Sequence, residues 1–463
     1  MKLCVFATLI GIISKTVRIF ANRMQRTVHT FSLEHQLNSK DKLLAWAQQY
    51  DTAVWLDSNA YAQKYSSYDA ILAVEEFTSI KTDYDKAFEK LKEYQSITQD
   101  FIFGYIGYDV KNDTEQLHSA NFDGLGFADL FFFQPQKILF LKGNQIEFHY
   151  LRMIDDEMES DFEQINNQII SQSVEQNTIA IQSRIAPSEY HQKVSNILNH
   201  IHRGDIYEAN FCQEYYAENA WIDPYEVYKD LNEISEPPFA TFLKVDEQYL
   251  LSASPERYLK KEGKKIISQP IKGTAKRLSN LTEDQQIAED LSKDQKEQSE
   301  NIMIVDLVRN DLSRTAKKGS VQVEELCKVY SFKQVHQLIS TVISEIEDET
   351  HPVDVIKDTF PMGSMTGAPK ISAMKIIEEQ EETKRGLYSG AVGYFSPEGD
   401  FDFNVVIRSI LYNQEKKYVS FSVGSAITAK STPEKEYEEC LLKAKAMQLV
   451  LTKSIVHTNI HSS

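Results

Sequence analysis

Between Gly390 and Ala426 the chain reads GAVGYFSPEGDFDFNVVIRSILYNQEKKYVSFSVGSA, and this stretch restricts the fold more than any other. Aromatic and β-branched runs alternate with short polar segments of hairpin length, which predicts three strands. Strands joined so tightly pair antiparallel, because a parallel return needs a crossover of a dozen residues or more. DIYEANFCQEYYAE (205–218) and TFLKVDEQYLLSASPERYLKKEGKKIISQPIKGT (241–274) add further strands joined by Gly- and Lys-rich turns. FADLFFFQPQKILFLKG (127–143) reads as a strand, a Pro-marked turn and another strand. Helices come in blocks. Pro187 starts one that Gly204 ends, Thr282 with Gln285 resembles a capping box opening a tract to about Asn310, Pro369 takes a first helical position, and Pro433 opens a helix to about Leu451. The pattern predicts an α+β fold with a large antiparallel core flanked by helices. The acidic segment 151–186, with a connecting helix in MIDDEMESDFEQINNQ, divides an amino-terminal portion (24–186) from a catalytic portion (187–455).

Some classes of function are disfavoured. The chain has 463 residues, 42% hydrophobic and 25% charged, with no repeat or low-complexity tract, which argues against a disordered or repeat-array protein. Its formal charge of −18 disfavours a nucleic-acid partner, which needs a basic face, and an anionic substrate would need local cations. Cys4, Cys212, Cys327 and Cys440 are scattered without zinc or disulfide spacing, so a reducing compartment, the cytoplasm, is expected. The apolar run Leu3–Ile13 is too short to span a bilayer, and no stable membrane association is expected. Residues 1–23 read as an extension or targeting-like segment before a natural start at Met24. No glutaminase signature occurs.

Several side chains carry candidate chemistry. Glu297 and Glu300, and separately Glu436 and Glu439, are three apart on predicted helices, so each pair shares a face; Lys443 lies four beyond Glu439. Four converging carboxylates would call for a hard divalent cation, although glutamate pairs on charged helices are ordinarily solvated. Glu256, in SASPERY, is a general acid if burial raises its pKa and otherwise a turn residue. His336 is flanked by apolar residues, as a satisfied core histidine would be. Arg408 interrupts a buried-looking strand and must pair with a carboxylate of the protein or of a substrate. FPMGSMTGAPK offers Ser364 and small residues before a helix amino terminus, where backbone amides can hold an anion. Lys272, in SQPIKGTAKR, sits between an extended Pro-Ile and a permissive Gly273, and reads either as a solvated charge or as a nucleophile.

Taken in order, GDIYEANFCQ, SASPERY, PIKGTAKR, ENIMIVDLVRNDLSR, VHQLIS, FPMGSMTGAPKISAM, GAVGYFSPEGDFDFNVVIRS and STPEKEYEE resemble the chorismate-utilising enzymes. That resemblance implies a large antiparallel β-sandwich wrapped by helices. The lysine of PIKGT is similar to the branch that aminates chorismate at C4, the aminodeoxychorismate synthase large subunits, on the route to 4-aminobenzoate and folate; anthranilate synthase large subunits usually carry alanine there. The resemblance implies that Lys272 adds covalently at C2 and that ammonia then displaces it from C4, while Glu256 protonates the departing hydroxyl. It implies Glu300 and Glu439 as magnesium ligands, with Glu297 and Glu436 holding the metal's waters. Arg408 and Tyr394 would receive the enolpyruvyl carboxylate, helped by amides near Gly424, and His336, Ser364 and Lys443 would line the pocket. Ammonia would come from a glutamine amidotransferase subunit. Glu208 stands where aminating relatives have glutamine and isochorismate-forming ones a base lysine, and Ala426 replaces a common glycine. WLDS resembles a tryptophan-binding motif, so Leu56, Asp57 and Ser58 line an amino-acid pocket or merely end a strand. Anthranilate synthase component I is the nearest alternative, and a catalytically silent scaffold of the same fold a more distant one.

Overall fold

The computed structural model describes residues 25–452 apart from 34–38, 62–63, 67, 116 and 171–178. The amino-terminal segment read above as an extension lies outside the described residues. Two long strands, Ala70–Thr82 and Leu130–Lys142, pair along their full lengths and form a spine. One layer grows from the first of them through Thr52–Asp57, Phe239–Val245, Gln248–Ser254, Ser409–Asn413, Tyr418–Thr428 and Glu208–Ala217. A second layer grows from the start of the other through Ile102–Ile106, Ala391–Phe395, Phe401–Val405, Arg257–Glu262, Lys265–Gln269 and Val335–Glu345. Ile271–Lys276 and Gln322–Ser331 flank that last strand. These pairings are antiparallel, as the hairpin spacing required.

Alternate side chains explain the two layers. Val54, Ile71, Leu243, Leu250 and Leu411 point between the layers, where they meet Phe103, Leu259 and Phe403. Their neighbours Ala53, Trp55, Leu72, Phe242, Leu251 and Ile410 point outward. There the helices Ser39–Ala47, Pro187–Arg203 and Pro433–Thr452 cover them with Trp46, Tyr190, Val194, Ile197 and Met447. A strand buried on both faces has no polar side to display, so Glu208–Ala217 is buried at nearly every position rather than in alternation. Strands from residues before and after 187 pair directly, Thr52–Asp57 with Phe239–Val245 and Ile102–Ile106 with Ala391–Phe395.

Local structure corrects five details of the sequence reading. Pro135 does not turn the chain: Leu130–Lys142 is one strand, and Pro135 falls opposite Glu76, where the partner's register shifts. A bulge leaves ladder groups unpaired, so the missing N–H of proline costs little there. The tract from 281 is two helices, Leu281–Lys293 and Gln295–Ser313, because Asp294 caps the second by accepting from the amides of Lys296 and Glu297. The first is capped by Asn280, not Thr282, and Pro369 is the residue before its helix rather than the first within it. Finally, VVIRSI is not one strand. Phe401–Val405 belongs to the second layer and Ser409–Asn413 to the first, so the carboxy-terminal hairpins contain four strands, not three.

That last break matters for the site. The chain changes layer between Val405 and Ser409, and also between Ser254 and Arg257. The two crossings lie side by side: the Val405 amide donates to the Glu256 carbonyl (3.0 Å), and the Ala253 amide donates to the Arg408 carbonyl (3.1 Å). Arg408 takes φ of +53° to make its crossing. Sequence-remote residues thereby reach the same edge of the sandwich.

Candidate active site

Lys272 opens the site from below. It lies in Ile271–Lys276, where Ile271 faces Ile339 but Thr274 faces Gln337, so one extra residue bulges from the strand. Gly273 supplies the positive φ (+97°) that the bulge needs, and a Cβ there would stand 3.0 Å from Leu338 Cδ1 and 3.2 Å from Glu297 Oε2. The glycine thus lets the helix Gln295–Ser313 approach the lysine. Asn301 on that helix locks the bulge, its Nδ2 donating to the carbonyls of Lys272 and Leu338, both at 3.1 Å. The Lys272 ammonium is directed at Glu208 Oε1, 3.3 Å away. Burial works against that charge, but Glu208, then Glu300 and Glu439, together hold the lysine pKa above its ordinary value.

Glu256 sits at the first layer crossing, 5% exposed, and accepts a hydrogen bond from Ser364 Oγ at 2.7 Å. Burial pushes its carboxyl up to about 7, against the pull of Ser364 and of Lys272. A carboxylic acid half-protonated near neutrality, within the field of a half-buried lysine, is what general-acid chemistry requires. Ser364 reaches it from the short turn Gly363–Met365.

Arg408 sits at the second crossing and lines a cavity with Ala253, Pro255, Gln337, Lys443 and Met447. Among the described residues its guanidinium makes no ion pair or side-chain hydrogen bond, and burial lowers its pKa against the weaker influence of Tyr388 and Glu439. An unpaired, half-buried arginine is a receptor for an anion. Lys443 stands on the same cavity wall, tied to Glu439 Oε1 (2.6 Å) and to the Gly424 carbonyl (2.8 Å). Gly424 is required where it is, since a Cβ would meet Cys212 Sγ at 2.5 Å.

The four acidic side chains face each other from the helices Gln295–Ser313 and Pro433–Thr452. Glu297 and Glu300 are raised by burial, and the charge of Glu439 pushes Glu297 further in the same direction. Burial would also raise Glu439, but Lys443 and its hydrogen bond hold it below the usual range. The Lys296 ammonium stands among them, 3.7 Å from Glu300 Oε1, and feels Glu300, Glu297, Glu436 and Glu439. Among the described residues no three such groups already form a closed cation cage. The all-oxygen donor set suits a hard divalent cation in kind.

Two predicted pocket residues are placed elsewhere. His336 has both ring nitrogens engaged, Nε2 with Asp284 Oδ1 at 3.0 Å and Nδ1 with Ser331 Oγ at 2.8 Å. It ties the helix Leu281–Lys293 to the sheet, the core-histidine alternative. Tyr394 is not beside Arg408. Its ring stacks on Phe103 and lines a separate cavity with Leu56, Asp57, Ser58, Arg257 and Asp402. Successive strand residues point to opposite faces, and Tyr394 takes the wrong one. The tyrosine that Arg408 feels is Tyr388, buried in the turn before that strand and 3.8 Å from Cys212 Sγ. GLYSG offered no signal beyond a tyrosine among small residues. Asn301 was missed as well, although a buried asparagine inside a helix asks for a partner.

The family described as chorismate binding enzyme matches residues 37–449, and the chain belongs to that family. Its relatives include aminodeoxychorismate synthase component 1 of Salmonella typhimurium, 40% identical over 262 residues. That alignment covers 57% of this chain and 57% of the relative's length. An anthranilate synthase component I-like protein of Synechocystis is 34% identical over 75% of this chain and 72% of its own. Among solved structures, anthranilate synthase component I from Streptococcus pneumoniae superposes with a TM-score of 0.74 at 25% identity, covering 84% of this chain and 94% of its own. No described helix is long and apolar enough to cross a membrane.

Proposed function

We propose that this chain aminates chorismate at C4 with ammonia, giving 4-amino-4-deoxychorismate for 4-aminobenzoate and folate synthesis. The observation that carries the reading is Lys272: a half-buried amine on a glycine-dependent bulge, within the field of a carboxylic acid poised near neutrality. Lys272 attacks C2 while Glu256 protonates the C4 hydroxyl as it leaves; ammonia then enters at C4 and releases the lysine. Two allylic shifts restore the ring's double bonds. Arg408 receives the enolpyruvyl carboxylate, with the Tyr388 phenol beside it, and Lys443 adds a second positive charge to that wall. Glu300 and Glu439 would hold magnesium, with Glu297 and Glu436 on its waters; when bound, the ion supplies the positive charge that engages the ring carboxylate. The ammonia donor is a glutamine amidotransferase subunit, and the pair works in the cytoplasm.

The test is a product assay with chorismate, ammonium and magnesium, read by chromatography and mass detection on wild type and Lys272→Ala. Aminodeoxychorismate from wild type, lost or diverted to a C2-aminated product in the variant, is expected. Anthranilate from wild type would instead make this an anthranilate synthase component I with Lys272 a bystander. Calorimetric titration with magnesium should show binding weakened at least tenfold by Glu300→Gln or Glu439→Gln; undiminished binding would remove these residues as ligands.

A further inference from the structure

VHQLIS carries a second polar side chain, Gln337, one residue after His336 in the strand Val335–Glu345. Successive strand residues face opposite ways. His336 is tied to Asp284 and Ser331, and Leu338 packs on the Lys272 bulge, its Cδ1 3.0 Å from where a Cβ on Gly273 would stand. Gln337, between them, faces the other way and lines the cavity of Arg408 and Lys443. It is 4% exposed, yet its carboxamide oxygen Oε1 has no hydrogen-bond partner among the described residues. Among those residues it is the one unpartnered acceptor buried in that wall. A buried carbonyl ordinarily finds a donor within the fold, so a free one facing a substrate cavity is an acceptor for a ligand.

The rest of the wall says which ligand. Arg408 and Lys443 carry only N–H donors, suited to the oxygens of a carboxylate. An acceptor beside them has no use for a carboxylate and needs a ligand that brings hydrogens. Pro255, on the same wall, is followed by Glu256, the acid assigned to the C4 hydroxyl. Arg408 takes the enolpyruvyl carboxylate, which hangs from the neighbouring ring carbon. The same wall therefore serves C4 and its neighbour. Resting on the reading above, we propose that Gln337 binds the second substrate: its Oε1 accepts a hydrogen bond from ammonia and holds the nitrogen beside C4. Ammonia is the donor in this contact, so its lone pair stays free for carbon. The positive charges of Arg408 and Lys443 favour the neutral molecule over ammonium at this wall. A carboxamide also suits the place better than a carboxylate, which would pair with Arg408 and compete with chorismate for it.

The test is steady-state kinetics at one fixed pH, with ammonium chloride as the nitrogen source, on wild type, Gln337→Met and Gln337→Leu. Both variants keep a side chain of similar size and lose the acceptor. Because Oε1 pairs with nothing in the fold, neither should unfold more readily than wild type in urea. With chorismate and magnesium saturating, kcat/KM for ammonium should fall by about three- to tenfold in each variant. With ammonium saturating, KM for chorismate should stay at the wild-type value. An ammonium kcat/KM equal to that of wild type would overturn the proposal. So would a chorismate KM that rises as far as the ammonium one, which would put Gln337 on the ring hydroxyl instead. If one variant fails to fold, the other decides by the same two constants. The underlying reading fails separately, on product identity: a wild type that gives no 4-aminated product refutes it whatever the constants are.

Discussion

A carboxyl raised to about 7 has a stability consequence as well as a catalytic one. Because the folded pKa lies above the unfolded value, Glu256 favours folding only while protonated, and that contribution is lost as pH rises through about 7. At pH 8 the buried charge costs about 3 kcal/mol, at pH 5 about 1 kcal/mol, and below about pH 4 almost nothing. Glu256→Gln keeps an acceptor for Ser364 without ionising. Chemical denaturation should show the variant more stable than wild type at pH 8 by about 2–3 kcal/mol, equal to it near pH 4, and inactive at neutral pH. A variant weaker at pH 8 would mean that Glu256 is not buried as described. The two tyrosines separate in the same way. Tyr388→Phe should raise KM for chorismate, whereas Tyr394→Phe should leave it unchanged, because Tyr394 faces the Leu56–Ser58 cavity. Lys272, Glu256 and Arg408 were legible because their types are improbable in their local patterns. Nothing local distinguished Tyr388 from Tyr394, since strand parity depends on which layer the strand joins.

At the scale of elements, the bulge and the helix above it act as one unit. Gly273→Ala must force a side chain into a positive φ against Leu338 and Glu297, costing about 1–3 kcal/mol and shifting Lys272. Asn301→Leu strips the donor from two carbonyls and should cost about 2–4 kcal/mol. Both variants should lower kcat more than they raise KM for chorismate; urea unfolding and steady-state kinetics on the same preparations would show it, and an unchanged kcat would detach the bulge from the chemistry. Element types were mostly readable from periodicity and punctuation, as with Pro187, Gly204 and Pro433. The errors share a cause. Pro135 and Arg408 look like interruptions or insertions only until the partner strand is known, and a bulge or a change of layer is a property of two strands.

For the whole molecule, the division at 151–186 carries a different weight from that of a linker between independent domains. The strand Thr52–Asp57 completes the layer that carries Phe239–Val245, and Ile102–Ile106 completes the layer that carries Ala391–Phe395. Trp46 and Trp55, both buried and both in the first portion, report on that half. Thermal unfolding of a Trp221→Phe variant, followed by their fluorescence, should share one midpoint with far-UV circular dichroism; two separated midpoints would show halves that fold apart.

The sequence by itself determined the antiparallel α+β class, the positions of most helices, and the improbable lysine, glutamate and arginine that mark the chemistry. Those follow from local causes: hairpin spacing, caps, and side chains too costly to bury without purpose. Only the tertiary structure decided that Glu208 faces Lys272, that Tyr388 rather than Tyr394 lies within the field of Arg408, that His336 is fully occupied, and that Glu256 and Arg408 share an edge. The last of these depends on two adjacent changes of layer, and the energy that fixes all of them lies in contacts between residues far apart along the chain.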